Sequence, residues 1–113
     1  MTDISKIDMD RINGLIDKLN SMKYVVETWN EGTEWYRIWS DGWIEQGGFI
    51  SAKTSNTITF IKPFKNTDYL PIFTPYANMG SHIVYVKTKE NTNISIYNGD
   101  SKEIAISWYA CGY

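Results

Sequence analysis

Side chains that commonly carry acid–base or nucleophilic chemistry are scarce in this sequence. It has one histidine, His82, and one cysteine, Cys111, so a nucleophile–base pair would need both and an orienting group that the sequence does not identify. Asp41 and Glu45 are a carboxylate pair such as a glycosidase requires, but a turn accounts for the first and cross-strand pairing for the second. The sequence therefore predicts no catalytic residues, no enzyme activity and no cofactor.

A metal site is also difficult to build from one chain. His82 cannot form a site alone, although three copies on a threefold axis would supply three histidines. A solvent-facing or hydrogen-bonded loop histidine is the simpler interpretation, and we predict no metal. Cys111 has no partner for an intrachain disulfide, and its position in the last apolar stretch predicts a small buried side chain.

Length and charge limit the classes of protein to which the chain can belong. Its 113 residues correspond to one domain that is large enough to bury a core. A net charge of -2 gives no basic field for nucleic acid, and no apolar stretch is long enough to predict membrane insertion. Five tryptophans and eight tyrosines exceed what such a core needs, which favours an interface or a polar-ligand surface.

The most informative element is a hairpin signal at Asp41-Gly42, which lies between two aromatic-rich runs. A two-residue type I′ turn requires positive φ at both central residues, which Asp-Gly tolerates. That turn would pair Trp39 with Ile44 and Ile38 with Glu45. It predicts two faces, one formed by Trp35, Arg37, Trp39, Ile44 and Gln46 and the other by Tyr36, Ile38, Ser40, Trp43 and Glu45.

The first 23 residues have a helical pattern that contrasts with the rest of the chain. Four apolar residues occupy a and d positions of two heptads: Ile12, Leu15, Leu19 and Met22. One interpretation is an amphipathic helix docked on its own domain. The other is a short parallel coiled coil with further copies of the chain, which the narrow apolar stripe favours.

Residues 24–113 read as seven or eight short strands with turn signals every eight to twelve residues. This pattern predicts a mostly β fold, an antiparallel β-sandwich, after the helix of residues 1–23. Within it, Gly47-Gly48 is expected to end or bulge the second hairpin strand, and residues 51–56 are expected to form a polar loop. Pro71 and Pro75 suit an edge strand or a bulged one.

Three segments of the sequence resemble the C-terminal domains of bacteriophage tail fibre proteins. Residues 36–48 (YRIWSDGWIEQGG) are similar to the signature of that family, and residues 108–113 (WYACGY) to its C-terminal motif. Residues 59–64 (TFIKPF), followed by Asp68 and Tyr69, resemble its middle strand. The resemblance spans roughly residues 35–113.

The resemblance implies a receptor-binding fibre tip. Its expected partners are two further copies in a homotrimer, an upstream fibre shaft and a glycan or protein receptor on the host cell. The protein would be part of the virion, made in the cytoplasm of the bacterial host. A trimer would place Ile12, Leu15, Leu19 and Met22 along a coiled-coil axis. The alternative from another class is a carbohydrate-binding module of a hydrolase or a fibre tip that cleaves glycans.

Recognition residues are expected in loops, because loops tolerate sequence change and carry function. Core packing and a subunit interface account for most of the tryptophans, and Asn, Asp and Ser near exposed rings could bind sugar hydroxyls. Two loops fit this description. The predicted ligand-binding residues are Tyr76, Asn78, Ser81 and His82 in the first loop and Tyr97, Asn98 and Asp100 in the second.

Overall fold

The described part of the chain folds as one helix followed by eight strands. The computed structural model describes residues 3–76, 84–99 and 103–113. Helix α1 spans Asp3–Ser21. The strands are β1 (Val25–Glu31), β2 (Glu34–Trp39), β3 (Ile44–Ala52), β4 (Ser55–Thr59), β5 (Leu70–Tyr76), β6 (Val84–Lys89), β7 (Asn93–Asn98) and β8 (Ile104–Gly112).

The strands form two antiparallel sheets that face each other across the core. One sheet has the order β1-β2-β3-β8-β5 and the other the order β4-β7-β6. Alternation along β7, and along β8 as far as Ala110, buries one side of each strand. The core residues of these two strands are Ile94, Ile96, Ile104, Ile106, Trp108 and Ala110. The predicted antiparallel sandwich is therefore confirmed.

Aromatic rings close one end of this core. The Phe64 and Tyr69 rings are stacked with centroids 4.5 Å apart, and Phe60 meets each of them edge-on at 5.1 Å. The Tyr69 hydroxyl donates a hydrogen bond of 2.7 Å to the Glu90 carbonyl. This cluster fixes the irregular segment between β4 and β5 against the three-stranded sheet.

Two of the strand predictions differ from the structure. Gly47-Gly48 does not end or bulge β3, whose pairing with β8 is continuous from Ile44 opposite Gly112 to Ala52 opposite Ile104. The expected polar loop of residues 51–56 shrinks to a tight turn at 53–54, because β3 and β4 extend into it. The prediction for Pro71 and Pro75 is confirmed, since β5 lies at the edge of the five-stranded sheet.

The β2–β3 hairpin has a longer turn than the predicted type I′ turn. The Gly42 amide donates to the Trp39 carbonyl at 2.9 Å, and the Trp39 amide donates to the Trp43 carbonyl at 2.8 Å. Only Gly42 has positive φ here, at 91°, whereas Asp41 does not. This is the pattern of a three-residue loop with a glycine bulge, which adds one residue to the connection.

The extra residue shifts the register of the hairpin and corrects the predicted faces. Ile38 pairs with Ile44, Arg37 with Glu45 and Tyr36 with Gln46. Gln46 therefore shares a face with Tyr36 and Ile38 instead of with Arg37. On that face Gln46 is fully buried, where its Nε2 donates to the Lys62 carbonyl at 2.7 Å and its Oε1 accepts from the Lys62 amide at 3.2 Å.

Gly42 is expected to be a determinant of hairpin stability. Replacing it with valine should lower the free energy of unfolding by more than about 1 kcal/mol, because a β-branched residue is strained at positive φ. Gly42→Asn is the matched control and should cost less, since asparagine tolerates this conformation. Urea denaturation of both variants measures the difference, and equal midpoints for wild type and Gly42→Val would contradict the assignment.

Helix α1 extends away from the sandwich, and the protein measures 79 Å along its long axis. All four predicted axial residues are about half exposed or more, with Leu15 at 61%. The structure therefore does not show the alternative of an amphipathic helix docked on its own domain. No helix in the described ranges is both long enough and apolar enough to cross a bilayer.

Candidate ligand-binding site

Three distant parts of the chain meet at the tip of the β2–β3 hairpin. Pairing of β3 with β8 sets Gly112 opposite Ile44, which brings Tyr113 beside the hairpin turn. Lys23, between α1 and β1, reaches the same turn. The three parts enclose an open cavity of about 430 Å³, which we call the hairpin-tip pocket. Its lining residues are Lys23, Trp39, Asp41, Trp43, Glu45 and Tyr113.

Three aromatic rings supply the apolar walls of the hairpin-tip pocket. Trp43 and Tyr113 meet edge to face, with centroids 5.1 Å apart and planes at 81°. Trp39 lies across the turn, and its indole Nε1 donates to Glu45 Oε1 at 2.5 Å. Because each ring is held by a neighbour, the walls are largely formed before any ligand arrives.

Asp41 provides a fixed acceptor at the pocket rim. Its Oδ1 accepts the Trp43 amide at 3.1 Å, while its Oδ2 accepts the Tyr113 hydroxyl at 3.1 Å and lies 3.3 Å from Lys23 Nζ. The bond from the Trp43 amide is the main cause that lowers the pKa of Asp41 below its ordinary value, and Lys23 and Tyr113 add to it. Asp41 is therefore a carboxylate at neutral pH.

Glu45 is the second acceptor in the lining of the pocket. Besides the Trp39 indole, it accepts the Tyr109 hydroxyl through Oε2 at 3.1 Å. The pKa of Tyr109 is raised, first by burial and then by the neighbouring Cys111 and Glu45. Tyr109 thus stays a neutral donor that orients the carboxylate.

The described residues do not assemble a recognisable catalytic or metal centre. No group of three or more His, Cys, Asp or Glu side chains that could hold a metal occurs in residues 3–76, 84–99 and 103–113. Cys111 is a free, buried thiol on β8, as its position in the sequence predicts. The pocket can offer apolar ring surfaces and hydrogen-bond acceptors, which is a binding chemistry.

The residues predicted to bind ligand do not form a single surface in the described part. Tyr76 ends β5 with 54% of its surface exposed, and its ring lies 5.4 Å from that of Phe49. Tyr97 is on β7, where it stacks on Tyr85 at 4.8 Å. For both tyrosines, ligand binding stays a prediction.

Asn98 is a correction to the predicted ligand-binding set. It is buried, and its Nδ2 donates to the Ala52 carbonyl at 3.0 Å, which joins the two sheets. This environment gives Asn98 a structural role, so we leave it out of any ligand-binding surface. The remaining residues of the set, Asn78, Ser81, His82 and Asp100, lie outside the described residues.

Sequence reasoning missed the hairpin-tip pocket. It assigned Trp39 and Trp43 to the core or an interface, and it explained Asp41 and Glu45 by the turn and by strand pairing. The roles of the two carboxylates are real, since Asp41 accepts a turn amide and Glu45 pairs with Arg37 across the hairpin, but both side chains also line the pocket together with Trp39 and Trp43. The feature of the sequence that could have predicted the pocket is the cluster of aromatic residues around a turn that carries a carboxylate.

Comparison with solved structures places the fold among fibre proteins. No family model and no curated protein sequence matches the chain. An N-truncated R2-type pyocin tail fibre superposes with a TM-score of 0.64 at 21% identity, over 81% of this chain and 38% of that one. The chain has the fold of a pyocin tail-fibre domain.

Two further pyocin fibre structures have a similar fold. The C-terminal part of the R2 pyocin fibre of P. aeruginosa has a TM-score of 0.63 and 19% identity, over 81% of this chain and 26% of that one. An N-truncated R1-type pyocin tail fibre has a TM-score of 0.56 and 16% identity, over 89% of this chain and 95% of that one. The chain thus spans well under half of both R2 fibre chains.

Proposed function

We propose that this chain is the receptor-binding tip of a tail fibre, which attaches a phage or phage-tail-like particle to a bacterial surface saccharide without catalysis. The fold carries the proposal, because it superposes on pyocin tail fibres over 81% of the chain. The hairpin-tip pocket adds a partly exposed aromatic surface of the kind that binding proteins use. The particle-associated location follows from the same proposal.

Attachment to cells tests this proposed function. The full chain, fluorescently labelled, is incubated with a panel of bacteria and washed, and the retained signal is measured by flow cytometry. We expect retention on a subset of strains, and competition by surface polysaccharide extracted from those strains. Retention on none of them would contradict the proposal.

The same extracted polysaccharide separates binding from cleavage. After incubation with the chain, its length distribution is measured by size-exclusion chromatography. We expect no change, since the proposed tip binds without catalysis. Shortened chains would replace the proposal with the alternative of a glycan-cleaving tip.

We also propose that the chain works as a homotrimer joined to an upstream fibre shaft through α1. The half-exposed apolar stripe of the helix supports this, because a lone helix is marginally stable in water and gains stability when neighbouring helices cover its apolar side chains. The outer face of the five-stranded sheet also carries exposed Phe49, Leu70, Ile72 and Tyr76. Three linked copies would turn weak single-site binding into strong attachment.

Replacing Leu19 with aspartate tests the trimer. The change would place one unpaired charge from each copy at the axis, so we expect the trimer to dissociate. Asn20→Asp is the matched control, because residue 20 points away from the stripe in the heptad pattern. Light scattering should give about three times the 13.1 kDa chain mass for wild type and control. A wild-type monomer at micromolar concentration would contradict the trimer.

A further inference from the structure

The hairpin-tip pocket has the size of a small-ligand site. Its volume of about 430 Å³ lies near the lower end of the range of about 300–1,000 Å³ that is usual for ligand pockets. Its lining residues come from the connection between α1 and β1, from the β2–β3 hairpin and from the residue after β8. A ligand there would touch the fixed hairpin tip, where hydrogen bonds hold the turn.

The aromatic walls suit the apolar face of a sugar ring. A pyranose presents C–H groups on one face and hydroxyls around its edge, so it needs ring surfaces beside polar acceptors. Trp43 and Tyr113, nearly perpendicular, form a corner that covers one face and one edge of such a ring. Rigid aromatic walls lose little conformational freedom on binding, which favours them for weak, polar ligands.

The two carboxylates suit the hydroxyls of that sugar. A carboxylate has about four acceptor positions, and Asp41 and Glu45 each use only some of them in the bonds described above. The donors that hold them, from Trp43, Tyr113, Trp39 and Tyr109, fix their directions. Sugar hydroxyls that donate to fixed carboxylates form charge-assisted bonds, which are stronger than neutral ones.

The charge of the pocket selects against acidic sugars. Two carboxylates line it against one ammonium group, and that ammonium, from Lys23, already pairs with Asp41. A uronic or sialic acid would bring a third negative charge into this space, which Coulomb repulsion disfavours. A neutral sugar has no such penalty.

We infer that the hairpin-tip pocket binds a neutral pyranose unit of a bacterial surface polysaccharide, packed on Trp43 and Tyr113 and hydrogen-bonded to Asp41 and Glu45. This inference rests on the proposed function, for which it names a class of ligand and a site. It places recognition at the hairpin tip, apart from Tyr76 and Tyr97.

A titration of the full chain with methyl glycosides tests the pocket independently of cell attachment. The probes are the methyl pyranosides of glucose, galactose, mannose and rhamnose at millimolar concentration, followed by NMR of the tryptophan indole N–H signals. We expect at least one probe to shift the Trp43 and Trp39 signals in a saturable way. A titration in which no probe shifts either signal overturns the inference, even if the chain attaches to cells.

Variants then assign the site. Trp43→Ala should weaken binding of the active glycoside by about tenfold or more, and Trp43→Phe should restore part of the affinity. Trp29→Ala is the matched control, because Trp29 is also partly buried but stacks on Tyr36 away from the pocket. We expect the control to bind as wild type does. If Trp43→Ala binds the glycoside as tightly as wild type does, the assignment of the sugar site to the hairpin-tip pocket is overturned. The proposed function would still stand in that case, provided that the variant attaches to cells.

The ratio of affinities for a neutral and an acidic glycoside separates a binding role of Asp41 from a purely structural one. Wild type should bind methyl glucoside more tightly than methyl glucuronide, which differs from it by one carboxylate. Asp41→Asn keeps an acceptor for the turn amide but removes the negative charge, so it should narrow that ratio severalfold. An unchanged ratio in Asp41→Asn overturns the role given to Asp41, and a wild-type preference for the glucuronide overturns the neutral-sugar assignment.

Discussion

Replacing Gln46 with leucine is expected to lower the free energy of unfolding by at least about 2 kcal/mol. Gln46 is fully buried, and its amide satisfies both the carbonyl and the amide group of Lys62. Leucine fills a similar volume but leaves those two main-chain groups without their partner, and an unsatisfied buried polar group costs about 1–3 kcal/mol. Urea denaturation followed by tryptophan fluorescence measures the loss.

A surface substitution provides the control for Gln46→Leu. Thr57→Val also exchanges a hydrogen-bonding side chain for an apolar one, but Thr57 is exposed and water can replace its bond to Ser95. We expect a change within about 0.5 kcal/mol there. If both variants unfold at the wild-type urea concentration, the Gln46–Lys62 bonds do not contribute to stability as we argue.

Gln46→Glu tests the same bonds through the pH dependence of stability, because glutamate has nearly the size of glutamine. Once ionised, the new carboxyl group can accept from the Lys62 amide but cannot donate to the Lys62 carbonyl, so burial raises its pKa in the folded state above the ordinary value of about 4.3. Relative to wild type, the variant should therefore be most stable below about pH 4 and lose stability as pH rises through the raised pKa. Wild type should not show this additional loss between pH 4 and 7.

The second large effect is expected from Gly47→Ala. A Cβ at this position would lie 2.7 Å from the Trp108 carbonyl oxygen and 2.9 Å from Trp35 Nε1. The carbonyl belongs to β8, directly beside β3 in the centre of the five-stranded sheet, so it cannot move without disturbing the longest strand pairing. Overpacking of this kind costs about 1–3 kcal/mol, and we expect the upper end or a failure to fold.

Gly14→Ala is the matched control for this prediction. Apart from its chain neighbours and the backbone of its own helix, no atom lies within 4 Å of a Cβ at Gly14, and alanine is about 1 kcal/mol more favourable in a helix than glycine. The same substitution should thus destabilise at one position and be neutral or stabilising at the other. Thermal unfolding by circular dichroism measures both, and a Gly47→Ala protein that melts with wild type would refute the close contact.

Both predictions concern the same strand, and together they explain how the hairpin-tip pocket is held. β3 is fixed to the core by Gln46, and its close approach to β8 at Gly47 requires that no side chain intervene. The β3–β8 pairing in turn brings Tyr113 to the hairpin tip. We therefore expect substitutions at Gln46 and Gly47 to weaken glycoside binding only as far as they unfold the protein, unlike Trp43→Ala.

The sequence by itself determined the fold class, the helical start and the edge position of β5. Alternation of apolar and polar residues is a local property of each strand, and the prolines at 71 and 75 remove donors wherever they occur. The resemblance to tail fibre domains likewise depends on short, local motifs, and the fold comparison agrees with it.

Tertiary structure alone decided the hairpin register and the site. Asp41-Gly42 is compatible with a two-residue or a three-residue loop, and the choice decides which β3 side chains share a face with which β2 side chains. Burial of Gln46 and packing of Ile44 against the core favour the longer loop. The hairpin-tip pocket joins Asp41 to Tyr113, 72 positions away in the sequence, through strand pairing that no local pattern encodes.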